Sequence, residues 1–228
     1  MPIATAAGQG FLIGRNATVV CLGDSITEYP EGYVTVMRNL LAAAYPERNL
    51  QIVNAGVGGN KAPDMLARLQ RDVIARKPDW VTINVGINDV WHGFYDFAAE
   101  RACPEGNGPG GVSLEEYTQA LTLMVDALRE ATDAQIVLLT PTVIGEDVDN
   151  PENIANRKLE GYVEAMRRVA EAHSTYLAPT HEDCVRAIRA GKAANPDYRL
   201  TTDGVHMNPV GNFVMALSVL YTLGFGTV

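Results

Sequence analysis

Val19-Val20-Cys21-Leu22-Gly23-Asp24-Ser25-Ile26-Thr27 decides the fold of this 228-residue chain. Four apolar residues run into a glycine, and a polar turn holding a serine follows. A run this short, apolar throughout and closed by Gly, predicts a strand buried in a parallel sheet. Ser25 then falls just past the strand's C-terminal end, the edge of an open α/β sheet where ligands bind. A serine there can be a nucleophile if a base reaches it, or it can do no more than cap the next helix.

Outward from this stretch, strands and helices alternate. Helical spacing at Val34, Met37, Leu40, Leu41 and Ala44 is stopped by Pro46. A strand over 50–54 ends in the glycine-dense turn Asn54-Ala55-Gly56-Val57-Gly58-Gly59-Asn60. A helix with Pro63 in its first turn carries Met65, Leu66 and Leu69 on one face. A third strand, residues 80–85, ends at Gly86-Ile87-Asn88-Asp89. After a glycine-rich stretch from Gly93 to Val112, Ser113 and Glu116 form a capping box for the next helix. Loops of that length without regular structure are uncommon inside a compact domain and are often functional: a lid, a pocket wall or a subunit contact. A strand over 135–140, a helix from about Leu159 to Ala170, a short strand at Tyr176-Leu177 and a helix near 183–190 follow. Asn208 as cap and Pro209 at the first helical position open the last helix, which Gly224 ends. The acidic residues Glu146, Asp147, Asp149 and Glu152 read as a solvated rim.

This alternation predicts a three-layer α/β/α sandwich around a flavodoxin-like five-stranded parallel sheet of order 2-1-3-4-5, with Ser25 where the winding reverses. We expect one domain over residues 1–228, its core at about 17–224. Composition agrees: 47% of residues are hydrophobic and 20% charged, ordinary values for a globular protein. A net charge of −9, with no basic patch beyond the pair Arg167-Arg168, speaks against nucleic acid or an anionic membrane as partner. Three cysteines without metal spacing suggest neither a disulfide framework nor a metal site. No signal peptide is evident and no run approaches the length of a membrane span, so the expected location is cytoplasmic. A homo-oligomer is compatible with the sequence.

Three strand ends now converge, offering Ser25, Gly59 and Asn88, and the loop before the last helix offers Asp203 and His206. A serine hydroxyl needs a base to take its proton, and histidine titrates near the working pH. That histidine needs a carboxylate on its other ring nitrogen to fix tautomer and orientation, and Asp203 stands three residues before His206. A tetrahedral intermediate needs donors for its oxyanion, and the backbone N–H groups of Ser25 and Gly59 and the Asn88 amide are suitable types.

The blocks Gly23-Asp24-Ser25-Ile26, Asn54 to Asn60, Gly86-Ile87-Asn88-Asp89 and Asp203-Gly204-Val205-His206, in this order, resemble those of the SGNH hydrolase superfamily, the GDSL esterases and lipases. The run Gly86 to Trp91, together with Leu138-Leu139-Thr140-Pro141 and the run Asp203 to Gly211, is similar to bacterial members that include acetyl xylan esterases. Arginine often follows the tryptophan there; here His92 stands in its place. The resemblance implies a serine esterase that needs no cofactor and no metal, with Ser25 as nucleophile, His206 as base and Asp203 orienting it. It implies an oxyanion hole of Ser25, Gly59 and Asn88, and a short-chain acyl ester, acetyl first, of a small molecule or oligosaccharide as substrate.

Other readings stand beside these. Asp24 and Asp89 are expected to tie turns together through backbone hydrogen bonds rather than to act as acids. Trp91 is either a sugar-stacking platform or core, and His92 either touches substrate or faces solvent. His173 reads as a helix C-terminal residue, and His181 as a surface or helix-start residue. The glycines at 56, 58 and 59 do not make a dinucleotide cradle, because Lys61 occupies the third glycine's place. Among functions, a lysophospholipase or thioesterase preferring longer acyl chains is the alternative enzyme. A carbohydrate-binding protein without turnover is the alternative from another class.

Overall fold

The computed structural model describes residues 10–96 and 98–226, of which residues 10–17 carry no helix or strand. Five strands form one parallel sheet: β1 (Thr18–Gly23), β2 (Gln51–Gly56), β3 (Trp80–Asn84), β4 (Gln135–Leu139) and β5 (Tyr176–Ala178). Their order is β2-β1-β3-β4-β5, the order that the alternation predicts. The central strands β1 and β3 are buried almost end to end; β1 accordingly reads as an apolar run, while β3 buries Thr82 and Asn84 among its apolar residues.

The helices are α1 (Ser25–Glu28), α2 (Tyr33–Ala44), α3 (Ala62–Asp72), α4 (Ile87–Trp91), α5 (Leu114–Ala131), α6 (Ile154–Ala172), α7 (Thr180–Ala194) and α8 (Pro209–Thr222). The crossover from β1 to β2 runs one way along the sheet, and the later crossovers run the other way. Right-handed crossovers therefore put α2 on one face and α3, α5 and α6 on the opposite face. The packing agrees: α2 lies against α8 and α8 against α7, while α5 lies between α3 and α6. The sheet is sealed by fully buried side chains such as Leu22, Ile83, Met124 and Leu128. Each such side chain stabilises the fold by about 1.5–3 kcal/mol relative to exposure.

The reversal after β1 lines up three strand ends. Gly23 pairs with Gly56 of β2 on one side and with Asn84 of β3 on the other. β2 thus runs two residues beyond the expected 50–54, because β1 continues to Gly23 and pairs with it. The short helices α1 and α4 were not expected. Each follows directly on a strand end and is too short to show a period. Ser113 Oγ accepts the Glu116 N–H at 3.1 Å and Asn208 Oδ1 accepts the Gly211 N–H at 3.0 Å, so both residues cap their helices, but the capping box expected of Ser113 and Glu116 forms only in its serine half.

The stretch from Gly93 to Val112 is folded on itself rather than structureless. It holds a two-residue hairpin pairing Tyr95–Asp96 with Arg101–Ala102. The Gly108 N–H donates to Gly93 O at 2.7 Å, and a Cβ on Gly93 would lie 2.4 Å from Gly106 O. Its glycines serve close backbone approach. Lys158 Nζ donates to Gly106 O, and the Tyr162 hydroxyl donates to Val112 O at 2.5 Å, joining the stretch to α6.

Helix α1 sits directly on the end of β2. A Cβ on Gly56 would lie 2.2 Å from Glu28 N and 2.7 Å from Thr27 C, both backbone atoms that cannot swing away. Gly56→Ala is therefore expected to push α1 off the sheet at a cost of about 1–3 kcal/mol. Urea denaturation should show it as a lowered midpoint, and an unchanged midpoint would contradict this packing.

Candidate active site

Asp24 stops β1 and caps α1: its Oδ1 accepts the Ile26 N–H at 3.0 Å. This is the turn-tying role expected of it. Ser25 is the first residue of α1, so its N–H has no acceptor within that helix. Thr27, two residues along, is fully buried; its Oγ1 meets the Tyr33 hydroxyl at 3.0 Å and accepts from Asn84 Nδ2 at 3.2 Å. Asn54 Nδ2 donates to Thr27 O at 2.5 Å. The turn bearing Ser25 is thus held from β2, β3 and α2.

The turn after β2 brings Gly59 alongside. Gly59 has a φ of +76°, a left-handed conformation that glycine adopts without steric cost. The preceding N–H, from Gly58, donates to Glu28 Oε2 at 2.9 Å. Asn88 comes from α4, which Gly86 opens with a φ of +130°. The Asn88 amide is buried and donates to Asn60 O at 3.1 Å, which orients it toward the same turn. Asp89 Oδ1 accepts the Ala62 N–H at 2.9 Å, linking α4 to α3 in the structural role read for it.

The last component is the loop between α7 and α8. Asp203 Oδ1 accepts the N–H groups of Val205 and His206 at 3.0 and 2.8 Å, and Asp203 Oδ2 lies 2.7 Å from His206 Nδ1. His206 Nε2 in turn lies 2.9 Å from Ser25 Oγ. Burial pushes the Asp203 carboxyl up, but the hydrogen bonds from the His206 ring and from the backbone outweigh it and hold Asp203 below the usual carboxylate range. A carboxylate at Nδ1 places the imidazole proton there and leaves the Nε2 lone pair for the serine hydroxyl. An arrangement of this kind can take the hydroxyl proton as the oxygen attacks a carbonyl. Beside Ser25 and His206 opens a pocket of about 570 Å³, whose walls include Glu28, Tyr29, Pro30, Thr202 and Met207.

One expectation is overturned here. Glu146 is no part of a solvated rim: it is 6% exposed, and its Oε1 accepts the Leu200 and Thr201 N–H groups at 2.9 and 2.6 Å and the Thr201 hydroxyl at 2.5 Å. The Gly145 N–H also donates to Gly204 O at 2.7 Å. This segment is the floor on which the Asp203–His206 loop rests. Asp147, Asp149 and Glu152 of the same stretch are not buried. Nothing in the local sequence separates Glu146 from them, because its partners lie 54 and 55 residues away.

Trp91 is 37% exposed, so it is not core, and its ring stands edge-on to His206 with centroids 6.3 Å apart. His92, next to it, is half-buried; burial and the Lys61 charge lower its pKa, so its ring is neutral near pH 7. His173 caps the C-terminus of α6. His181 lies in the first turn of α7, its Nδ1 2.5 Å from Thr142 O.

Two carboxyls lie beneath the site. Asp24 and Asp89 are each 1% exposed, and Oδ2 of each has no hydrogen-bond partner among the described residues. Burial raises Asp24 to about 6, and burial together with the Asp24 charge raises Asp89 to about 7.

Comparison with known proteins places this geometry in context. Residues 21–212 match the GDSL-like Lipase/Acylhydrolase family. An acetylxylan esterase of Geobacillus stearothermophilus is 31% identical, over 93% of this chain and 96% of its own. Esterase TesA of Pseudomonas aeruginosa is 25% identical over 83% and 79% of the two chains. The crystal structure of an acetylxylan esterase from Geobacillus stearothermophilus superposes with a TM-score of 0.78 at 32% identity, covering 93% of this chain and 96% of that one. An alpha/beta hydrolase enzyme from the metagenome of Lake Arreo, Spain, superposes with a TM-score of 0.79 at 30% identity, covering 94% and 98%.

The buried carboxyls have a consequence for stability. Their folded pKa values exceed those of an unfolded chain, so the folded state favours the protonated forms. Each contributes stability that is complete below about pH 4 and is lost as pH rises through about 6 for Asp24 and about 7 for Asp89. Asp89→Asn removes one such loss. Between pH 4 and pH 8 the variant is expected to gain on the wild type by on the order of 4 kcal/mol. Urea midpoints measured across that range check this, and a constant difference between the two proteins would refute it.

Proposed function

This chain belongs to the GDSL-like Lipase/Acylhydrolase family and is a carboxylic ester hydrolase, and from that premise we propose that it removes short acyl groups, acetyl above all, from carbohydrate through a Ser25 acyl-enzyme. The observation that carries this reading is the hydrogen-bonded line from Asp203 through His206 to Ser25, at 2.7 and 2.9 Å, on the wall of an open pocket. The likeness to an acetylxylan esterase along nearly the whole chain supports the acetyl and sugar parts.

In this mechanism Ser25 Oγ attacks the ester carbonyl while His206 Nε2 takes its proton. The charge that develops on the carbonyl oxygen is met by the Ser25 and Gly59 N–H groups and the Asn88 amide. His206 then returns the proton to the departing alcohol. A water molecule, deprotonated by the same histidine, attacks the acyl-enzyme and releases the carboxylic acid and free Ser25. Asp203 holds the tautomer and stabilises the imidazolium. Trp91, with its ring partly in solvent beside His206, offers a surface for a sugar ring, and His92 borders it.

Acetate release from p-nitrophenyl acetate and from acetylated xylo-oligosaccharides is expected for the wild type and not for Ser25→Ala, which also should not be labelled by a fluorophosphonate. A rate maximum at octanoate or longer would instead favour the lysophospholipase or thioesterase reading. Sugar binding without serine-dependent turnover would favour a binding protein. Asn88→Ala is expected to lower kcat by roughly 10²–10³, as loss of other oxyanion donors does. An unchanged kcat would remove Asn88 from that role.

A further inference from the structure

The pocket beside Ser25 has a volume of about 570 Å³, far more than an acetyl group needs, so on the reading above most of it receives the alcohol part of the ester. Its lining carries two carboxyl groups, Glu28 and Asp203, and no lysine or arginine among the described residues. Asp203 is committed on both oxygens to His206 and the backbone of its own loop. Lys61, which follows the glycine turn, does not line the pocket, and its Nζ donates to Gly110 O at 3.1 Å.

Glu28 is placed differently. It ends α1, three residues after Ser25, and is exposed. The Gly58 N–H donates to its Oε2 at 2.9 Å, which fixes the carboxylate against the turn that carries Gly59. A Cβ on Gly58 would lie 2.9 Å from that same oxygen and 3.8 Å from Ser25 Cβ, so the charge sits close to the nucleophile. Tyr29 and Pro30 continue the wall as exposed, largely apolar surface.

We propose that Glu28 sets the charge selectivity of this site: it admits esters of uncharged polyhydroxyl alcohols and rejects those whose alcohol part carries a carboxylate or phosphate. Two physical effects point the same way. An ionised carboxylate only accepts hydrogen bonds, so it pairs with sugar hydroxyls and has nothing to donate to an anionic oxygen. A second negative charge within several ångströms of it, near a protein surface, is disfavoured by roughly tenfold, and added salt screens that penalty. The exclusion extends to phosphate-bearing lysophospholipids and nucleotide-linked thioesters.

The test compares kcat/KM for 4-acetoxybenzamide, which is neutral, with that for 4-acetoxybenzoate, which is anionic, each divided by its rate with hydroxide. The wild type should prefer the neutral ester by roughly tenfold at low salt, shrinking to about twofold or threefold at 1 M NaCl. Glu28→Gln keeps an oxygen for the Gly58 N–H and removes the charge, so its preference should fall to about twofold or less and lose its salt dependence. A variant with the wild-type ratio, or a wild-type ratio that ignores salt, overturns the proposal. Acetylated xylobiose, assayed in parallel, tests the carbohydrate reading separately. If it is not deacetylated while the aryl acetates are, that reading fails and the ratio still decides the role of Glu28. Absence of Ser25-dependent turnover of every ester overturns both.

Discussion

The guanidinium of Arg68, 8% exposed, lies where β1 and β2 end and reaches four acceptors there. It donates to Gly23 O at 2.8 Å, to Ala55 O at 2.9 Å, to Asn60 Oδ1 at 2.6 Å and to Asp72 Oδ2 at 3.0 Å. A buried carbonyl without a donor costs about 1–3 kcal/mol, and a buried cation without its anion costs more. One side chain therefore joins the two strand ends, where Gly23 O also accepts the Val57 N–H at 3.0 Å, and fixes the turn that carries Gly59. Asp72 is suited to hold it, because hydrogen bonds from Arg71 and Arg68 keep that carboxyl well below the usual range against the push of burial. The planar fork, not the charge alone, makes this work, and a lysine at this position has too few directed donors to reach all four acceptors.

Around this anchor the site is assembled by backbone hydrogen bonds more than by contacts between the reacting groups. Asn60 accepts from Arg68 on its side chain and from Asn88 on its carbonyl, so the buried guanidinium and the Asn88 amide are two bonds apart. Glu28 holds Gly58 from one side. Glu146 holds residues 200 and 201 from below, and Asp203 closes its own loop on His206. Each functional group thus sits on a turn whose geometry is fixed by an acidic or amide side chain, which is how loops attain the placement that chemistry needs.

Much of this was legible in the sequence, for physical reasons. An apolar run such as Val19 to Leu22 can only be buried, and the glycine at its end marks where the chain must turn. The alternation with amphipathic helices then leaves few topologies, and the observed order is the expected one. Ser25, Asp203 and His206 were nominated by chemistry and by resemblance, and they lie within hydrogen-bond reach of one another. Their roles rest on the reaction proposed above. What the sequence hid were long-range bonds from side chain to backbone. Arg68 reads as one more charged residue on an amphipathic helix, yet its partner Gly23 lies 45 residues away. Glu146 reads as one acid among several. The glycines between 93 and 112 suggest looseness, whereas they are required where one backbone presses on another. Periodicity registers which face of an element is apolar, and it carries no trace of such pairings.

The separation of 181 positions between Ser25 and His206 has a meaning for the protein's synthesis. At ordinary ribosomal rates, roughly 10–40 s separate the emergence of the two residues. On the mechanism proposed above, the serine stays an ordinary hydroxyl throughout that interval, since the imidazole that would activate it has not been made. The loop carrying His206 must also dock on the segment around Glu146, and α8 must close over α2 and α7. On that mechanism a chain cut short before His206 carries the pocket's first wall without a means of activating its serine, and competence waits for the loop that carries His206.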